Sequence, residues 1–284
     1  MRLLNTSSIT LEEFQGSPPE YAILSHTWLD DEVTLQDLTL DKDRTKAGWD
    51  KILNCCRKCL KEGWKYVWID TCCIDKTSSA ELSEAINSMF AWYQRAAICY
   101  AFLSDVWRVR KGDEPGTLAR SRWFTRGWTL QELLAPSYLI FLDSSWREIG
   151  SRSFLSSTIE TITGISAYQM AHFRDCSIAT KMSWAAGRQT TRIEDQAYCL
   201  LGLFGINMPL LYGEEEKAFI RLQQEILRVS DDETIFAWRG KSARQRVVSP
   251  SQITQQGKSL RKENISGVPR CSLWNASYIP YLLF

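Results

Sequence analysis

The sequence predicts an α/β fold, a parallel sheet flanked by helices and followed by a helical C-terminal extension. Two observations lead there. Short, continuous apolar runs alternate with helical patterns through the first 150 residues. Runs of that kind suit strands that are buried on both faces, as in parallel sheets. From about residue 150 the apolar spacing turns helical and stays so. The expected organisation is therefore an α/β domain over 1–150, a helical extension packed on it over 151–238, and a basic, divergent tail over 239–284 that is expected to be disordered.

The elements follow in order. Tyr21–Ser25 reads as a first buried strand. Ala47–Leu60 reads as a helix, with Ile52, Leu53, Cys56, Cys59 and Leu60 at helical spacing and Gly63 as its stop. Tyr66–Asp70 is the second strand. Ser78-Ser-Ala-Glu81 has the capping-box pattern and opens a helix with Leu82, Ile86, Met89, Phe90 and Tyr93 on one face. Ala97–Leu103 is the third strand. Trp128–Leu134 is a short helix stopped by Pro136, and Tyr138–Leu142 is the fourth strand. Beyond it, Ser153–Ile162, Ile193–Phe204 and Glu214–Val229 read as helices. A glycine-bracketed loop, Gly205–Gly213, separates the last two.

In open parallel sheets, ligands bind outside the carboxyl ends of the strands. A polar group stands at each of those ends here: Ser25-His26, Asp70, Ser104-Asp105 and Asp143. Glu132 joins them. It lies one helical turn after Trp128 within the apolar, aromatic stretch Ser121–Ala135, where a carboxylate is expensive to bury. Such a group is paired, exposed at a pocket rim, or functional. The strand-end edge together with Glu132 is the expected site.

Composition sets bounds. The 284 residues are 44% hydrophobic and 24% charged, an ordinary globular balance. No apolar run reaches the ~18 residues that a membrane-spanning helix needs, and the N-terminus lacks the pattern of a signal peptide, so a cytoplasmic protein is expected. The nine cysteines are odd in number and sit in apolar elements, which suits reduced thiols. Cys56-x-x-Cys59 and the Cys72-Cys73 doublet read as core thiols rather than as zinc knuckles, so no metal is expected. Gly240-Lys-Ser242 resembles the end of a phosphate-binding loop, but Ile235 stands where the leading glycine belongs. The tail carries eight Lys/Arg against one acid, Glu263, without the aromatic interleaving of a nucleic-acid stripe, and no specific nucleic-acid partner is expected.

Three blocks then carry a resemblance: Leu24-Ser-His-Thr-Trp28, Trp68-Ile-Asp-Thr-Cys-Cys-Ile-Asp75 and Arg126-Gly-Trp-Thr-Leu-Gln-Glu-Leu-Leu-Ala-Pro136. They resemble the signature blocks of the fungal heterokaryon-incompatibility (HET) domain. Met182–Arg188, Thr191–Phe204 and Asn207–Gly213 resemble the region that often follows it. One departure is that Gly213-Glu-Glu-Glu216 stands where the family usually reads Gly-Glu-Gly. The resemblance implies a role in fungal nonself recognition, with regulated cell death as output and an unknown incompatibility partner. It also implies a distant likeness to Toll/interleukin-receptor (TIR) domains, hence a flavodoxin-like sheet and self-association. In catalytic TIR domains a glutamate in a Trp-x-x-x-Glu-Leu context cleaves NAD, and Trp128-Thr-Leu-Gln-Glu132-Leu matches that context. It implies Glu132 as the catalytic residue and NAD as substrate rather than bound cofactor. Trp128 follows more loosely, and Ser25, His26 and Asp70 follow from the topology as NAD-binding residues. A non-catalytic, self-associating module, with Glu132 paired to Arg126 or Arg122, stands beside the enzyme reading at this point.

Overall fold

Seven strands form one sheet: β1 (Arg2–Asn5), β2 (Leu11–Glu13), β3 (Ala22–His26), β4 (Tyr66–Ile69), β5 (Ile98–Phe102), β6 (Leu139–Leu142) and β7 (Glu148–Ser151). Their order across the sheet is β2-β1-β4-β3-β5-β6-β7. The structure, a computed structural model, describes residues 1–40, 45–109 and 114–237. Contacts group Met1–Val247 into one unit and Val248–Phe284 into another. The second unit, the basic tail and the Gly240–Ser242 segment lie outside the described residues.

The four runs expected as strands are β3, β4, β5 and β6, and every residue in them is buried. They pair in parallel, with Leu24 opposite Ile69 on one side and Tyr100 on the other. Taken in sequence, these four stand in the order second-first-third-fourth, that of doubly wound, flavodoxin-like sheets. Such sheets bind ligands at the crevice where the order reverses, here between β3 and β5. The purely parallel expectation needs correction at the edges. β1 and β2 pair antiparallel beyond β4, and β7 pairs antiparallel with β6. These strands are three or four residues long and only partly buried, too short and too polar to show a continuous apolar run.

The helices are α1 (Leu35–Thr39), α2 (Gly48–Lys61), α3 (Ser79–Arg95), α4 (Glu114–Leu118), α5 (Thr129–Leu134), α6 (Ser156–Thr163), α7 (Ala167–Ala171), α8 (Ile178–Ala185), α9 (Asp195–Tyr198), α10 (Leu201–Phe204) and α11 (Lys217–Val229). In α2 the buried face holds Ile52, Cys55, Cys56 and Cys59, while Leu60 turns out to solvent. Ser78 caps α3 as expected, but the box is incomplete. The Glu81 carboxylate bonds Arg2 and the Asp75 N–H instead of the cap residue. The helix expected over Ile193–Phe204 is two short ones, α9 and α10, ended by Gly205 in the left-handed region.

The helical region docks on α3. Gly202 lies so close to Phe90 that a Cβ there would collide with its side chain. Asn87 clamps the following loop, accepting the Met208 N–H at 3.1 Å and donating to the Met208 carbonyl at 3.2 Å. This docking carries α9 and the loop after α10 over the carboxyl edge of the sheet. The thiols of Cys55, Cys56, Cys59, Cys72, Cys73, Cys99 and Cys199 are buried. Burial pushes Cys56 up to about 12, which makes it a core group rather than a reactive one. Among the described residues, no helix is long and apolar enough to cross a membrane.

Candidate functional site

Glu132 sits on α5, which a polar network fixes from both sides. The Thr129 hydroxyl bonds the Trp123 and Arg126 carbonyls. The buried Arg188 guanidinium donates to the Arg126 carbonyl and to the Thr129 hydroxyl, each at 2.9 Å. The Trp123 indole is fully buried and donates its N–H to the Ser25 hydroxyl at 2.7 Å. That contact occupies Ser25 as an acceptor, so its own proton points to Glu132, to which it donates. The carboxyl group is therefore held in one orientation by a three-member relay.

Burial pushes the Glu132 carboxyl up to about 7. The Ser25 bond works against that rise, the nearby Asp70 charge adds to it, and Arg126 opposes it from a distance. No ion pair joins Glu132 to an arginine among the described residues. Arg122 faces Asp105 at 3.7 Å, and the Arg126 guanidinium lies 5.7 Å from the centre of the Trp28 ring. Of the two sequence-level alternatives for this carboxylate, the arginine-locked one does not describe the molecule.

Glu132 opens onto a cavity of about 290 Å³ at the carboxyl edge of the sheet. His26, Asp70 and Trp128 line it as well, so four of the five expected site residues reach it directly, and Ser25 reaches it through Glu132. The Asp70 Oδ2 accepts the Trp28 indole N–H at 2.7 Å, while Oδ1 is buried without a hydrogen-bond partner. Both ring nitrogens of His26 are also unpartnered, with Nε2 3.7 Å from Asp70 Oδ1. Burial holds the His26 imidazole well below its ordinary value, so it is neutral at pH 7. Buried polar atoms without partners are costly, and these three stand beside an open cavity.

Opposite the sheet, the helical region supplies a second wall. Asp195, at the start of α9, accepts the Trp128 indole N–H at 3.2 Å and the Tyr212 hydroxyl at 3.0 Å. Burial shifts its carboxyl upward despite those two bonds. Three cations complete the lining. Lys76 Nζ lies 3.5 Å over the Trp28 ring, Arg192 lies 4.4 Å over the Tyr212 ring, and Arg126 stands near Trp28. None of the three is within 4 Å of a carboxylate among the described residues.

Two strand-end acids do not join the site. Asp105 accepts from the Ser121 hydroxyl at 2.7 Å and the Arg122 N–H at 2.8 Å, tying down the turn before α5. Asp143 is held by Arg147 at 2.9 Å and by the Ser145 N–H at 2.8 Å. Sequence reasoning missed Trp28, Lys76, Arg192, Asp195 and Tyr212 as lining residues. Each lies within or beside one of the blocks that carry the HET resemblance, which was the one signal that could have found them.

Comparison with known proteins adds the family context. The model described as "Heterokaryon incompatibility protein (HET)" matches residues 21–113, a span that holds Ser25, His26, Asp70 and Lys76 but ends before Glu132. The model described as "Domain of unknown function (DUF8212)" matches residues 217–276. The vegetative incompatibility protein HET-E-1 of Podospora anserina is 46% identical over 222 residues, covering 74% of this chain. The chain spans only 16% of that relative's length. No solved structure matches the chain.

Proposed function

The chain belongs to the heterokaryon-incompatibility (HET) family, and we propose that it acts in vegetative incompatibility as a TIR-like effector of regulated cell death that cleaves NAD. One observation supports this reading above the rest. Glu132 is a buried carboxyl with no cation partner among the described residues, aimed by Ser25 and opening onto a cavity at the topological switch of the sheet.

The chemistry follows from that carboxyl. Cleavage breaks the bond between the ribose C1′ and the nicotinamide nitrogen. The electron pair leaves with nicotinamide, which quenches its pyridinium charge, and positive charge develops on the ribose. The Glu132 carboxylate stabilises that charge. Water then adds at C1′ and gives up a proton, yielding ADP-ribose. A carboxyl with a value of about 7 is well matched to receiving that proton near neutral pH. Asp70 Oδ1, free of other partners, accepts from a ribose hydroxyl in this scheme, and the Trp28 and Trp128 rings give the base an apolar surround.

The test is release of nicotinamide from NAD, followed by chromatography on protein taken through each of its oligomeric forms. Turnover by the wild type and its loss in Glu132→Gln are expected. Turnover should rise as pH passes upward through about 7, where the carboxylate forms. Absent turnover in every form, or equal turnover in Glu132→Gln, would sink the reading.

A further inference from the structure

A second cavity of about 220 Å³ adjoins the first and shares Trp28, Arg126 and Thr191 as a common wall. The two differ in chemistry. The first is lined by Ile74, Leu82, Ile86 and Met89 together with three carboxylates, Glu132, Asp70 and Asp195. The second has no aliphatic side chain and no acid: beside the shared wall it presents Arg122, Gln189 and the hydroxyls of Thr27, Thr125 and Thr190. It suits a ligand portion rich in hydrogen-bonding groups, such as the hydroxyls and base edge of a nucleoside.

The shared wall is rigid. Gly127 donates its N–H to the Gln189 carbonyl at 2.7 Å, and Gln189 donates to the Thr125 carbonyl at 2.7 Å. Arg126 and Gln189 form a parallel bridge, and the Arg126 carbonyl is held by Arg188. A Cβ at Gly127 would fall 2.5 Å from Thr190 Cγ2, so the two segments approach as closely as glycine allows. The Arg126 backbone is thus anchored at the boundary, and its guanidinium stands 5.7 Å from the centre of the Trp28 ring with no carboxylate within 4 Å among the described residues. An arginine held in that way is a ready partner for a bridging phosphate.

We propose that the two cavities form one bipartite site for a dinucleotide. The base and ribose to be cleaved occupy the apolar cavity under Glu132, the diphosphate crosses the wall at Arg126, and the distal nucleoside half lies in the Arg122–Gln189 cavity. This rests on the NAD-cleaving reading for the identity of the first half, and it adds that the second half is recognised by this chain. Mononucleotide and dinucleotide substrates then differ in affinity because only the latter fills the second cavity.

The test uses Arg122→Glu and Gln189→Ala, both exposed positions outside the reacting end. Nicotinamide release is compared for NAD and for nicotinamide mononucleotide, and calorimetry follows ADP-ribose binding to Glu132→Gln with and without Arg122→Glu. Arg122→Glu should raise KM for NAD about tenfold or more, the loss expected of one hydrogen bond donated by a charged group to the distal nucleoside. It should leave kcat for NAD, and both constants for the mononucleotide, unchanged. Gln189→Ala should shift the same constants in the same direction by less. An equal effect on both substrates, or none on either, overturns the bipartite site while leaving NAD cleavage standing. If no form of the protein cleaves NAD, the calorimetry decides alone. Weakened ADP-ribose binding in the Arg122→Glu background upholds the second cavity, and absent or unchanged binding overturns it.

Discussion

Glu132 and Glu194 are each only 6% exposed as residues, yet the Glu132 carboxyl lies far deeper in the protein than that of Glu194, and the two are built in opposite ways. Glu194 stands at the start of α9, and its Oε1 accepts the N–H groups of Gly213 at 2.7 Å and Glu215 at 3.2 Å. Burial alone would raise it. The backbone N–H bonds outweigh that and hold it below the ordinary carboxylate range. Glu132 has the hydroxyls of Ser25 and Tyr93 in place of a set of N–H donors, and the Asp70 charge nearby, and burial pushes it up to about 7. Low exposure of a residue therefore does not by itself decide the protonation of its carboxyl; the depth of the group and the donors around it decide it together. Glu194 is a latch that joins α9 to the turn before α11. Glu132 is left short of partners where a cavity meets it.

The largest expected effect breaks the pair apart by activity. Glu132→Gln should lower NAD cleavage by about 10²–10³-fold, the scale of losing one preorganised electrostatic contact. Glu194→Gln should leave kcat within about threefold on the folded fraction. Initial-rate measurements on both variants check this, and similar losses in both would erase the distinction.

Stability should separate them with opposite dependence on pH. The folded Glu132 carboxyl lies above its unfolded value, so the native state binds the extra proton and loses stability as pH rises from about 4.5 to about 7. Above 7 the cost is complete, on the order of 3 kcal/mol. Glu132→Gln relieves it, so the variant should be more stable than the wild type at pH 8, with an advantage that fades as pH falls to 4.5. Glu194 is the reverse case. Its folded value lies below the unfolded one, so its contribution is present above the unfolded value and is lost as pH falls through the folded one. Glu194→Gln should cost about 1–3 kcal/mol at pH 7, and less in acid. Urea midpoints at about pH 8, 6, 4.5 and 3 give both trends; parallel curves for the two variants would contradict the comparison.

The same contrast explains what the sequence could reveal. The central strands were legible because burial on both faces demands unbroken runs such as Tyr66-Val-Trp-Ile69. Leu11-Glu-Glu13 and Glu148-Ile-Gly-Ser151 gave no such signal, since edge strands are stabilised by backbone pairing with a neighbour far along the chain. Ser25, His26, Asp70 and Glu132 could be found because strand ends and an out-of-company carboxylate are local features. Asp105 and Asp143 carry the same local mark and are turn fasteners, because what an acid does depends on its donors. Asp195, Arg192 and Tyr212 reach the cavity through long-range contacts, among them the docking of Gly202 on Phe90 and the Trp128–Asp195 bond. The Glu194 latch is invisible for the same reason.

The smallest expected effect probes that latch from its other end. Glu215 adopts φ +54°, in the left-handed region that L side chains avoid. The conformation costs about 1–2 kcal/mol for a residue with a Cβ, and glycine escapes that cost while losing more entropy on folding. Glu215→Gly should therefore gain about 0.5–1 kcal/mol, read as a higher urea midpoint at pH 7. The strain is held in place because the Glu215 N–H must reach Glu194. In a Glu194→Gln background that demand weakens, the turn is free to relax, and the gain from glycine should shrink toward zero. A full gain in both backgrounds would mean that the turn keeps its shape without the latch, and that Glu194 accepts the N–H groups of a turn already formed.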